Sequence, residues 1–553
     1  MAWTGATTST RPRSRSTTIA SQAATSMTKC QSPTVLQSPV NRTAMPENSL
    51  PNIIYIQSDQ HNPAVIGAYG DQVLETPNLD RLAANGAIFT GAYCGSPICA
   101  PSRTALVTGR YPFETEVWTN DQILSSAVPT YAHSLGAAGY DPVQIGRMHY
   151  NGVDQLHGFS RRYVGDHSPN YPGSPRPVDH GQLHGTAGPA RVSLEASGRG
   201  QSAYEVHDEY VTQSAVDYIN NKGITRRSGL DDSPLCLSIG LMLPHQPFVA
   251  RAADYDKYDG RVPMPTVPTE PIEDCHPYIQ WWRERTGIVE VTDEEIMRSR
   301  IAYWALCDRT DQLIGEILDA LDANGYMDNT IIIYTSDHGE QVGEHGLWWK
   351  QTFYEDSSRV PAIVSWPGHL AEGRVIDTPI DQFDLAATML DAAGAQPLPQ
   401  SHGMSVIDLI NNPDTADWKD AVFSEYCMND SSVGSGISAN LGGADIHARP
   451  GGVQNRMVRS GDWKLNYYHG FEPQLFNLAE DPHELNDRAQ DPSCRGVRDE
   501  LMDRVLDGWD PDHIAERMRI LKREQELMEA WAKNIDPPDS LRWDLRPEMD
   551  YLD

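Results

Sequence analysis

Four apolar runs in this chain each stop at a cluster of polar side chains, and that repeated ending constrains the fold more than any other feature. Asn52-Ile53-Ile54-Tyr55-Ile56-Gln57 stops at Ser58-Asp59-Gln60-His61. The short run at 143–145 stops at Gly146-Arg147-Met148-His149, and the run at 235–241 leads into Pro244-His245-Gln246-Pro247-Phe248. The run at 330–334 stops at Thr335-Ser336-Asp337-His338-Gly339. Apolar runs of strand length bounded by polar residues predict buried strands. Helical stretches lie between them. One opens at Thr76-Pro77-Asn78-Leu79-Asp80 and closes at Gly86, a second covers about 130–138, and a long one runs from about Asp293 to Gly325. Strands alternating with helices predict an α/β fold with a doubly wound, mainly parallel sheet. In such sheets ligands bind outside the carboxyl ends of the strands, so the four polar endings predict one site.

The chain has 553 residues, enough for several structural units. We read 1–50 as a disordered N-terminal extension, 51–400 as a catalytic α/β domain, 401–490 as a smaller α+β subdomain and 491–553 as a charged helical tail. The subdomain is signalled by Trp463-Lys464-Leu465-Asn466-Tyr467-Tyr468 and Gln474-Leu475-Phe476-Asn477-Leu478, which predict short antiparallel strands. The segment 512–533 has helical periodicity and suits packing on the body or on a second subunit, so a homo-oligomer is among the expected partners. The extension is rich in Ser and Thr, carries Arg11, Arg13 and Arg15 and has no acid before Glu47; Met45 is an alternative start. It lacks a secretory apolar core, which predicts a cytoplasmic protein. No run approaches the roughly 18 apolar residues of a membrane span. Eight cysteines are scattered without a Cys-x-x-Cys pair, which predicts reduced thiols. A formal charge of −32 argues against nucleic acid or an anionic membrane as partner, and any site for an anion must generate its own positive potential.

Cys99 sits in Ser96-Pro97-Ile98-Cys99-Ala100-Pro101-Ser102-Arg103, followed by Thr108-Gly109. Proline near a first helical position costs no hydrogen bond, so the cysteine is predicted to lie just before a helix N-terminus, where negative charge is favoured. Alone, such a cysteine reads as a small buried hydrophobe. With its neighbours it resembles the signature of the formylglycine-dependent type I sulfatases. The resemblance spans about 50–490. It is also carried by Ser58-Asp59-Gln60, Gly146-Arg147-Met148-His149, Pro244-His245-Gln246-Pro247-Phe248 and Ser336-Asp337-His338-Gly339-Glu340 with Lys350. The nearest branch resembles choline sulfatases and phosphonate monoester hydrolases, through Asp59-Gln60, 128–133, 154–159 and Gly346-Leu347-Trp348-Trp349-Lys350.

That resemblance implies an alkaline-phosphatase-like fold and hydrolysis of a sulfate monoester. It implies that a formylglycine-generating enzyme oxidises Cys99 and that the aldehyde hydrate attacks sulfur, passing through a covalent sulfo-enzyme. It places Asp59, Gln60, Asp337, His338 and the residue made from Cys99 on one divalent cation, Ca²⁺ with Mg²⁺ or Mn²⁺ as alternatives. Arg103 would hold the hydrate, His149 would be the base of the second half-reaction, and His245 and Lys350 would flank the leaving oxygen. Asn120 and Arg147 would contact substrate, although the family usually has lysine where Arg147 stands. Glu425 matches the anionic partner of a quaternary ammonium, yet no tryptophan falls between Trp118 and Trp281 to complete an aromatic clamp. Choline, alkyl, aryl and sugar sulfates all stay open as small-molecule or saccharide substrates. The rival readings are a phosphonate monoester or phosphodiester hydrolase using the same site, and an inactive relative that binds sulfate or glycan.

Overall fold

The computed structural model describes residues 50–168, 170–172, 181–414, 417–428, 452–539 and 541–553. The expected extension, apart from Leu50, lies outside them. Eight strands form the central sheet: β1 (Asn52–Asp59), β2 (Gly86–Phe89), β3 (Val143–Gly146), β4 (Arg161–Tyr163), β5 (Cys236–Pro244), β6 (Thr330–Ser336), β7 (Ala362–Ser365) and β8 (Arg374–Ile376). Their order is β8-β2-β7-β6-β1-β5-β3-β4. All neighbours are parallel except β7, which runs antiparallel to both β6 and β2.

Successive residues of a strand point to opposite faces, and here both faces are covered. Ile53, Tyr55, Ile331 and Ile333 pack on one side with Leu106, Leu385 and Met389. Ile54, Ile56, Ile332 and Tyr334 pack on the other with Leu79, Val211, Ile219, Ile314 and Leu318. That double burial explains the unbroken apolar runs, since each fully buried aliphatic side chain contributes about 1.5–3 kcal/mol. Three helices matter for the site or its surroundings: α1 (Cys99–Thr108), α2 (Ala203–Arg227) and α3 (Asp293–Ala323). The helix expected after Thr76 spans Pro77–Ala84 with proline at its start, but Asn85 caps its end and Gly86 already belongs to β2. The Thr76 hydroxyl does not cap that helix; it donates to Asp80 and accepts from the Gly67 N–H.

The smaller C-terminal sheet is antiparallel: β9 (Ala421–Met428), β10 (Val453–Ser460), β11 (Trp463–Tyr468) and β12 (Gln474–Asn477), in that order. Its Val422, Tyr426, Met457, Tyr468 and Phe476 share a core with Phe248, Tyr303 and Trp348 of the body. Helix α4 (Pro511–Ile535) follows, and the chain then returns to place Tyr551–Leu552 beside the short strand Gly198–Gln201. Among the described residues no helix is long and apolar enough to cross a membrane. Seven cysteines lie among them, all free and buried.

Candidate active site

Register brings the polar endings together. β1 and β6 run parallel with Ser58 opposite Ser336, so Asp59 and Asp337 leave the sheet side by side. Cys99 occupies the first position of α1, two residues earlier relative to Pro101 than the proline rule suggests, because the helix begins at the cysteine itself. Asn120 Oδ1 accepts the Ala100 N–H at 2.9 Å, satisfying one of the orphan donors of that helix end. Cys99 Sγ lies 3.3 Å from His338 Nε2, 3.3 Å from Lys350 Nζ and 3.7 Å from Asp59 Oδ1. Burial and the Asp59 charge push its thiol up to about 11.

Asp59, Cys99, Asp337 and His338 are all buried, and one donor atom from each falls within 4.8 Å of the others. His338 Nδ1 is 3.0 Å from the Gly339 carbonyl; a carbonyl only accepts, so Nδ1 carries the proton and Nε2 turns its lone pair to the cluster. Burial holds that ring neutral, with its pKa down to about 4. This donor set fits a divalent cation bound mainly by oxygen. Gln60 stands beside it with φ 66°, a strained left-handed backbone for a non-glycine residue. Its Oε1 accepts from Lys350 Nζ at 2.6 Å and keeps a second lone pair.

Cationic groups surround the carboxylates. Arg103 donates Nε to Asp337 at 2.9 Å, Nη2 to Asp59 at 3.0 Å and to the Ser58 carbonyl at 3.2 Å, and Nη1 to Gln57 and the Arg147 carbonyl. All five N–H groups are thereby used, and none reaches Cys99. Arg103, expected to help hold the hydrate, orients the two carboxylates beside Cys99. Arg147 Nε meets Asp59 at 2.7 Å, Nη1 meets Asp166 at 3.2 Å and Nη2 meets His149 Nδ1 at 3.0 Å. Two of its N–H groups stay available for an anion. Burial would raise the Asp59 pKa, but Arg147, His245 and Arg103 outweigh it and hold the carboxyl well below its usual range. Burial and Arg147 lower the pKa of His149, and burial and Lys350 lower that of His245. His245 Nε2 is 4.0 Å from Asp59 Oδ1.

Residues 51–395 match the family profile described as Sulfatase. The chain belongs to the sulfatase family. This sulfatase is 32% identical over 457 residues to the choline-sulfatase of Rhizobium meliloti (strain 1021), covering 80% of this chain and 83% of that protein. It is 28% identical over 531 residues to the arylsulfatase K of Danio rerio, covering 89% and 91%. The phosphonate monoester hydrolase of Agrobacterium radiobacter shares its fold, with TM-score 0.65 at 24% identity over 83% of this chain and 95% of that one. The protein is thus a sulfuric ester hydrolase with an alkaline-phosphatase-like α/β fold.

One expected substrate contact in the sulfatase has partners within the chain. Glu425 does not present a free carboxylate: Oε1 accepts the Phe113 N–H at 2.5 Å and Oε2 accepts the Trp509 indole N–H. Burial raises its pKa to about 7. Two residues that motif reading passed over support the site. Asp166 binds Arg147 through Oδ1 and the His149 N–H through Oδ2 at 3.1 Å. Glu340 receives the Val342 and Trp349 N–H groups on Oε1 and the Gln60 amide on Oε2. Glu340 stood inside a quoted motif and could have been found there. Asp166 has no local signal, because its partners come from a different strand end.

Proposed function

We propose that this sulfatase hydrolyses a small sulfate monoester through a formylglycine made from Cys99 by a formylglycine-generating enzyme, with Ca²⁺ at the cluster and Mg²⁺ or Mn²⁺ as rivals. The observation that carries the reading is the setting of Cys99 Sγ: at a helix N-terminus, 3.3 Å from both His338 Nε2 and Lys350 Nζ. Asp59, Gln60, Asp337, His338 and the converted residue would hold the cation, which supplies Lewis-acid polarisation of a sulfuryl oxygen. Converted, position 99 supplies a geminal diol, one hydroxyl for attack on sulfur and the other for release of sulfate.

The side chains divide the remaining work. Three carboxylates (Asp59, Asp337 and Asp166) face Arg103, Arg147 and Lys350, so a divalent cation would leave the cluster positive, as an anionic ester requires. Arg147 and Lys350 orient the sulfuryl oxygens, with Asn120 near the same helix end. His245, once protonated, would give the Nε2 proton to the leaving oxygen, its Nδ1 being turned to the Gln246 carbonyl at 2.5 Å. His149, anchored by Asp166 through its backbone, would take the proton of the second hydroxyl on Nδ1, the ring lone pair that accepts from Arg147 Nη2. The 32% identity to a choline-sulfatase keeps choline sulfate among the substrates, but the engaged Glu425 favours another alkyl, aryl or sugar sulfate.

The mass of the Cys99 peptide tests the conversion: loss of the thiol in favour of an aldehyde is expected, and an unmodified cysteine in fully active enzyme overturns it. Chelation is expected to abolish turnover, and adding back each of the three ions identifies the metal. Rates on 4-nitrophenyl sulfate and a phenyl phosphonate monoester separate the two ester classes. A preference of several orders of magnitude for the phosphonate would move the protein to the hydrolase alternative.

A further inference from the structure

Two walls of the site are joined by a pair of residues that the reaction itself does not use. His207 and Asp208, in the second turn of α2, are both fully buried. β5 follows β1 and β3 regularly as far as Gly240, after which the register slips, so that Asp59 faces Pro244. The slip takes Met242 and Leu243 out of the ladder, and their N–H groups need other acceptors. Asp208 supplies them: its carboxylate accepts the Met242 N–H at 2.9 Å and the Leu243 N–H at 2.8 Å. The Met242 carbonyl in turn accepts the His245 N–H at 3.0 Å. Asp208 therefore holds the turn that aims His245.

His207 reaches the opposite wall. Its Nδ1 lies 2.9 Å from Asp208 Oδ1 and its Nε2 lies 3.0 Å from the Gly165 carbonyl. His207 therefore bridges Asp208 and the Gly165 carbonyl through its two ring nitrogens. Gly165 precedes Asp166, which holds Arg147 and the His149 backbone. A side chain at Gly165 would collide with the Leu541 carbonyl, and the Trp543 ring packs edge-on against His207 at 5.2 Å. The pair thus ties the loop of the leaving-group histidine to the loop that anchors the sulfate-binding arginine and the second histidine.

We propose that His207 and Asp208 are positioning residues that hold His245 in register with Arg147 and His149, an inference that rests on His245 being the leaving-group acid. A displaced acid harms esters of poor leaving groups more than activated ones. Asp208→Asn replaces one carboxylate oxygen by a donor that faces an N–H. It is expected to lower kcat for phenyl sulfate at least about tenfold more than kcat for 4-nitrophenyl sulfate, with KM for the latter within about threefold. His245→Ala is expected to show the same selectivity more strongly, and Asp208→Asn to add no further selectivity in that background. His207→Gln, which breaks one tether, carries the test at smaller size if Asp208→Asn does not fold. Equal losses on both esters in folded Asp208 and His207 variants, with selectivity intact in His245→Ala, overturn the positioning role and leave the reaction reading standing. Absence of selectivity in His245→Ala itself overturns both.

Discussion

Two buried charge clusters in this molecule look alike in composition and differ in what they leave open. At the strand ends, Asp59 and Asp337 are gripped from one side by Arg103, while donor atoms of Asp59, Cys99, Asp337 and His338 converge within 4.8 Å on the other. Near the C-terminal sheet, Glu425 receives donors on both oxygens. Arg456 lies among the rings of Phe423, Phe113, Tyr111 and Trp509, at 4.5, 5.4, 5.6 and 5.8 Å, and gives Nη1 to the Val505 carbonyl at 2.9 Å. Both Glu425 oxygens have partners within the chain, while the buried Arg456 Nε has none and its guanidinium rests against the aromatic rings. Burial of charge is common to both; unshared lone pairs that converge belong only to the first. The second is a cluster whose carboxylate is engaged, joining β9 and β10 to Val505 and Trp509.

The contrast can be broken by four substitutions. The largest effect is expected for Cys99→Ala, which should keep the fold and lower turnover of 4-nitrophenyl sulfate on the order of 10⁴-fold or more; substantial residual turnover would remove the nucleophile from position 99. Arg103→Met comes next. It strands two buried carboxylates, and loss of about 3–5 kcal/mol in urea unfolding is expected, together with loss of activity that added cation restores only in part. A variant as stable as the parent would show that the cluster does not depend on Arg103.

Glu425→Gln probes the closed cluster. Kinetics on choline sulfate and on 4-nitrophenyl sulfate are expected to stay within about twofold of the parent; a rise in KM confined to choline sulfate would return Glu425 to the substrate. Its stability should also titrate. Burial raises the folded pKa of Glu425 to about 7 from 4.5, so the folded state favours the protonated form. The stability contributed by protonation is fully present below about pH 4.5 and is lost as pH rises through 7. The parent should therefore lose up to about 3 kcal/mol relative to Glu425→Gln between pH 4.5 and 8, and parallel stability curves would refute the burial argument. The smallest effect is expected at Asn120, where Ala removes the acceptor of the Ala100 N–H at a cost of about 1 kcal/mol. An unchanged melting curve would mean that the α1 N-terminus finds another acceptor.

How far the site was legible follows from the range of each interaction. Asp59, Cys99, His149, His245, Asp337, His338 and Lys350 sit in short motifs at the ends of apolar runs, so hydrophobic pattern and residue type were enough to single them out. Asp166, Asp208 and His207 carry no such mark: their importance comes from backbone groups at Met242, Leu243, Gly165 and His149, exposed by a register slip and a loop. Glu425 shows the same range effect in reverse. Its partners Phe113 and Trp509 lie 312 and 84 residues away, and without them an isolated glutamate looks free.

Which residues stand at the strand ends, and that the strands are parallel and covered on both faces, is written in the one-dimensional pattern, because burial of alternate side chains on two faces needs no knowledge of distant partners. Which donors and acceptors remain unshared could be decided only in three dimensions. Each polar atom has few bonds to give, and whether Arg103 reaches Cys99, or Glu425 reaches a substrate, depends on which distant groups have already claimed them.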